Sequence, residues 1–205
     1  MKTLWSRVSS WLGKPSDPAE KGAGGLIGAK LTDVQTTHDF FTFFNFAPTG
    51  EEKLPGAMQL ISFKPTGEAF RKLVTLGVTT YGQGVITRLQ LTVARSFIDD
   101  PRQCIYAADL VKSFLLAAAA TTNGDAVSAL ASEISARSMA RSTMPMITAQ
   151  PLPQAPEIPS AAFMAYAGRE QSRMLLYGSG KRQVQLQNGT RDEGALLDLI
   201  VSPAA

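Results

Sequence analysis

One cysteine and one histidine in 205 residues leave this chain little of the usual chemistry. A lone cysteine closes no internal disulfide, so nothing is stapled for an oxidising compartment. One His and one Cys cannot supply a zinc centre built on those ligands. The G-x-S-x-G nucleophile motif is absent. Gly22, Gly24, Gly25 and Gly28 miss the dinucleotide glycine spacing, because Ile27 stands where the third glycine belongs. Gly180-Lys181 is followed by Arg182, and Leu175 takes the place of a P-loop's first glycine.

Charge is scarce too. Charged residues make up 18% of the chain, below the roughly 25% usual in soluble domains. The hydrophobic share of 44% is ordinary, so the surface is more neutral than most, as suits a protein that spends its time bound to something. The longest uninterrupted apolar run, Phe114 to Ala120, falls far short of the roughly 20 residues that span a membrane. The N-terminus lacks a signal peptide's continuous apolar block and small-residue cleavage site. The expected location is cytoplasmic, with peripheral contact at the inner face of a membrane as a further option.

What the sequence does contain is clearest between Gly84 and Ala120. Val85, Leu89, Leu91 and Val93 alternate with Arg88, Gln90 and Thr92, the pattern of a strand with one buried face. Asp99-Asp100-Pro101 then opens a helix. The two aspartates could be paired catalytic carboxylates, but capping the free N–H groups of a first turn is the better account. Cys104, Ile105, Ala108, Val111 and Leu115 form an apolar stripe that Ala107, Leu110, Phe114 and Ala118 widen, so this helix belongs to a core. Cys104 on that stripe reads as a packed thiol, and His38 beside Asp39 as a structural imidazole at a strand entry.

Strands are expected at 26–36, 39–47, 57–64 and 76–80, with a turn-rich loop over 48–56 and a short helix after Thr66. The phenylalanines of 40–46 read as core packing rather than a ligand platform. A second helix over 126–140, with Thr122-Asn123-Gly124-Asp125 as its turn and capping box, should lie antiparallel to the first and present Ser132, Ser135 and Ser138 outward. Strands near 162–167, 171–177, 182–187 and 195–201 form a C-terminal meander, with Asn188-Gly189 as a hairpin turn. The fold class is α+β: a mainly antiparallel sheet packed against a long helix and a helical hairpin.

Five segments follow: an amphipathic helix at 1–14, a flexible linker at 15–25, an α+β domain at 26–142, a proline-rich connector at 143–160, and the meander at 161–205, joined to the same domain. In the first, Leu4, Trp5, Val8, Trp11 and Leu12 fall within an arc of about 120°, with basic and serine residues opposite. That stripe suits an anionic membrane surface or a partner's groove. The expected function is a non-catalytic accessory subunit or adaptor of a larger assembly, attached through this helix. No enzyme activity, cofactor, metal or small-molecule substrate is indicated.

Two alternatives stand beside that reading. Between Arg137 and Arg191 seven basic residues meet two acidic ones, a local +5. Arg169, Arg173, Lys181, Arg182 and Arg191 could therefore bind a polyanion, although nucleic acid is the less favoured partner. An enzyme using carboxylate and Tyr acid–base groups, unrecognisable from spacing, is the other.

Overall fold

In the computed structural model the described residues are 25–121, 125–143, 154–169, 173–178, 181–192 and 194–204. The expected N-terminal helix, nearly all of the linker and the centre of the proline-rich connector lie outside them.

The elements in chain order are α1 Leu31–Val34, α2 Asp39–Phe43, β1 Phe46–Leu54, β2 Met58–Pro65, α3 Glu68–Arg71, β3 Val74–Tyr81, β4 Val85–Ala94, α4 Arg95–Asp99, α5 Cys104–Ala119, α6 Ala126–Arg141, α7 Ala161–Tyr166, β5 Arg173–Gly178, β6 Arg182–Arg191 and β7 Gly194–Pro203. The fold is α+β, and its strands form one seven-stranded sheet in the order β1-β2-β3-β4-β7-β6-β5. Every pairing is antiparallel. Two meanders, β1–β4 and β5–β7, are joined where β4 pairs with β7.

The alternation read in the sequence aligns across this sheet. One row runs Val78–Leu89–Val201–Val184–Leu176 and the next Leu76–Leu91–Leu199–Leu186. All of these side chains are buried. Against them packs α5, whose Ala107, Val111, Phe114, Leu115 and Ala118 are 0% exposed. The regular helix begins at Cys104, later than the sequence suggests. Asp100 still organises its entry, accepting the Arg102 N–H at 2.8 Å and the Gln103 side-chain amide at 3.0 Å. Asp125 caps α6 by accepting from the Ser128 N–H at 2.7 Å. Cys104 Sγ donates to the Ser138 carbonyl at 3.5 Å, so the start of α5 meets the end of α6 and the two run antiparallel.

Several sequence expectations give way. Residues 31–43 are two short helices instead of strands. His38 Nδ1 accepts the Phe40 N–H at 3.1 Å and starts α2. Phe40, Phe41 and Phe44 suit a helical period as well as a strand's, and Asn45, at φ 48°, then turns the chain into β1. The phenylalanines do pack as core: Phe40 stacks within 5.8 Å of Phe114, and Phe41 within 5.6 Å of Phe63. The predicted loop 48–56 is mostly β1. Pro48 and Gly50 are tolerated because β1 is an edge strand and its register shifts between them.

The predicted strand 162–167 is α7, because Ser160 accepts the Phe163 N–H at 3.1 Å and nucleates a turn. Asn188-Gly189 is no hairpin turn: β6 runs on to Arg191, which pairs with Gly194. The Asn188 amide instead donates to the Ala165 carbonyl at 2.7 Å and ties β6 to α7. On α6, Ser135 and Ser138 are buried at 5% and 4%, so only Ser132 of the three faces outward.

Phe114 lies where α5, α2 and the sheet meet. Phe114→Ala should cost about 3–5 kcal/mol in denaturant-induced unfolding, whereas Ala at the half-exposed Phe43 should cost far less.

Candidate functional site

The titratable side chains that could carry chemistry are each placed by structural contacts. His38 caps α2, and burial lowers its pKa against the pull of Asp39. Cys104 is 0% exposed, and burial raises its thiol pKa, the opposite of what a nucleophile needs. Asp99 pairs with Arg95 at 3.5 Å, and Asp100 serves the α5 entry. Burial pushes the Asp109 carboxyl up, with Lys112 pulling against it. Tyr166 is 1% exposed, and burial drives its phenol far above the ordinary value. Among the described residues, no group of three or more His, Cys, Asp and Glu comes together as a metal ion would need.

Glu133 is the one acid on α6, and it holds the return of the chain after the proline-rich segment. Its carboxylate accepts from the Arg137 Nε at 2.7 Å, from the Ser160 N–H at 3.1 Å and from the Ser160 hydroxyl. Arg137 also donates to the Pro156 carbonyl at 2.6 Å and lies 5.1 Å over the Phe163 ring. Burial alone would raise the Glu133 pKa. The hydrogen bonds from Ser160 and Arg137 outweigh it and hold the carboxyl below its ordinary value.

A second carboxylate sits on the sheet face opposite α5. Asp198 in β7 accepts from the Gln90 amide at 3.2 Å, the Thr92 hydroxyl and the Arg191 guanidinium at 3.1 Å. Around it Thr75, Gln185, Gln187 and Ile200 share this face with the basic Arg88 and Arg173. Two open depressions of about 260 and about 220 Å³ lie on the described surface. Both fall below the roughly 300 Å³ at which small-molecule pockets begin. The larger lies beside Arg95, whose guanidinium donates to the Tyr166 carbonyl and packs where any side chain at Gly168 would stand.

The five basic residues singled out in the sequence do not converge. Arg182 and Arg191 close opposite ends of β6, a span of about 30 Å. Arg182 donates to the Ile27 carbonyl at 2.8 Å, which fastens β6 to the start of the described chain. Arg191 is engaged by Asp198, and Arg173 donates to the Gln185 side chain at 3.1 Å. Arg169 and Lys181 are exposed, on separate turns.

The apolar surface is more organised. Leu175 and Tyr177 on β5 are 42% and 59% exposed and point to the face away from α5. The sequence marks them only as one half of an alternation. Beside the end of this strand the described chain begins. Gly25 packs so closely on the last turn of α5 that a side-chain carbon there would stand 2.9 Å from the Ala120 Cβ, and the Leu26 N–H donates to the Ala117 carbonyl at 2.9 Å. Gly178, ending β5, lies against the Ala119 carbonyl of the same turn. The segment carrying Leu4, Trp5, Val8, Trp11 and Leu12, itself outside the described residues, is therefore joined to the body at the β5 rim.

No family model, curated protein or solved structure matches the chain. Among the described residues no helix is long and apolar enough to cross a membrane.

The Glu133 cluster makes a pH-dependent contribution to stability. Its lowered pKa means that the stabilisation is present above about pH 4.5, the ordinary value, and is lost as pH falls through the folded-state value. Glu133→Gln should cost about 1.5–3 kcal/mol near neutrality. Unfolding curves measured from pH 7 downward should show that this difference shrinks in acid.

Proposed function

We propose that this chain is a non-catalytic accessory subunit or adaptor of a larger assembly, attached through Leu4, Trp5, Val8, Trp11 and Leu12 to a partner protein or a membrane surface. The observation that carries the reading is the junction at Gly25. The stripe-bearing segment joins the folded body at one defined corner, fixed by Gly25 on α5 and by Arg182 holding the Ile27 carbonyl. Such a junction fixes the corner of the body from which the linker to the anchor departs. The sheet face beyond it mixes Thr, Gln and Ile with the basic Arg88 and Arg173, and its carboxylate is already bonded to Gln90, Thr92 and Arg191.

A 12-residue helix is marginal alone in water, so the apolar stripe orders on what it binds. Trp5 and Trp11 supply most of its contact area, and the opposite side carries Lys2, Arg7 and Lys14.

The test is flotation of the full chain with anionic vesicles beside a chain beginning at Gly25, together with recovery of co-purifying partners from native extract. The full chain should float or retain partners, the truncated chain should do neither, and Trp11→Ser should weaken the attachment. Floating assigns the stripe to lipid, and partner retention without floating assigns it to a protein groove. If truncation changes neither behaviour, the reading fails.

A further inference from the structure

The two edges of the sheet are built differently. β1 is blunted as exposed edges usually are, by Pro48, a register shift beside it, and Glu51, Glu52 and Lys53. β5 has neither the proline nor the register shift, and only one charge, Arg173. Its sequence Arg173-Met174-Leu175-Leu176-Tyr177-Gly178 contains no proline, its pairing with β6 is regular, and no described strand lies beyond it. Among the described residues its outer N–H and C=O groups meet no further strand, and the exposed Leu175 and Tyr177 flank them. Over it, α6 exposes only Ala126, Ala129 and Ser132 in its first two turns. Nothing bulky on that helix obstructs an approaching strand.

We infer that β5 pairs antiparallel with β5 of a second copy of this chain, giving a two-fold dimer with one sheet continuous across both protomers. The strand is complementary to itself in this arrangement. A two-fold axis perpendicular to the sheet keeps each face on its own side, so paired residues must share a face. With the axis at Leu175, that residue meets its own copy, Met174 meets Leu176, and Arg173 meets Tyr177. The pairing on the axis covers Leu175, now 42% exposed, and the pairing beside it covers the partly exposed Met174. Arg173 gains an aromatic ring in place of a like charge, a favourable cross-strand neighbour. No acidic or second basic residue enters the pairing, so the register is free of charge repulsion.

Six residues per protomer make a small interface, below the standard size for stable complexes, so the dimer is reversible and concentration-dependent. The two Gly178 ends stand about 20 Å apart, and each protomer carries one stripe-bearing N-terminal segment. Two such segments on one particle engage a surface together, which multiplies attachment without any new contact. The dimer itself stands apart from the anchor reading, because mass reports pairing and flotation reports attachment.

Sedimentation of the full chain over a micromolar concentration series should show mass rising from monomer toward dimer. Leu175→Glu and Leu175→Lys should each stay monomeric, since like charges then meet on the axis, and an equimolar mixture of the two should recover the dimer. Leu175 is exposed, so both variants should keep the wild-type circular dichroism. As a second measure, oxidation should cross-link Leu175→Cys efficiently and Tyr177→Cys poorly, because position 177 lies four residues out of register with its own copy. A wild-type chain that remains monomeric throughout, a dimer that both charged variants leave intact, or equal cross-linking at the two positions would overturn the proposal.

Discussion

The pairing of β4 with β7 is the constraint on which the remaining architecture depends. Leu89, Leu91 and Val93 meet Val201, Leu199 and Leu197, residues more than a hundred positions away in the chain. Without that seam there are two meanders of three or four strands, neither wide enough to cover α5. With it, the apolar rows run from β3 to β5 and the helix finds a floor for most of its circumference. Closing so long a connection costs only slightly more than closing a shorter one, because loop entropy grows with the logarithm of length. Burial of the aliphatic side chains along the seam outweighs that increment. The seam also places Asp198 between Gln90, Thr92 and Arg191, where its charge is spread over three donors.

What could be read from the sequence follows this division between periodic and punctuated stretches. β4, α5, α6 and β7 carry long, unambiguous patterns, and the first two gave the core correctly from Leu89 to Ala118. The errors fall where a single side chain or a neighbouring strand decides. Phe40 to Phe46 fits either period, and the choice was made by His38 capping α2 and Asn45 turning out of it. Residues 48–56 look like a loop because proline, glycine and charge are common in loops, yet those residues also suit the unpaired edge of a sheet. Asn188-Gly189 is a strong local hairpin signal, overridden because β7 continues to supply partners as far as Gly194.

The polar residues teach the same lesson about function. Spacing alone could not show that Glu133 would reach Ser160 across the proline-rich segment, or that Arg182 would be spent on the Ile27 carbonyl. A signal was present for Glu133, the only acid in a helix otherwise made of small, aliphatic and basic residues. For Arg182 there was none. A cluster of basic residues in sequence becomes a patch only if the fold brings it to one place, and β6 carries two of its members to opposite ends.

The two edges of the sheet bear most directly on how such a protein works. An edge strand left flat and apolar is a liability unless something pairs with it, and β1 shows that this chain carries the usual means of protecting an edge. Pro48, the shifted register and three charged residues sit on one side; on the other, Leu175 and Tyr177 are exposed beside an unbroken backbone row. Protection on one edge alone makes association directional. A single open edge permits a closed pair and no further growth, since the partner's own open edge is consumed in the pairing. The protected edge thereby sets the size of the particle as firmly as the open edge permits its formation.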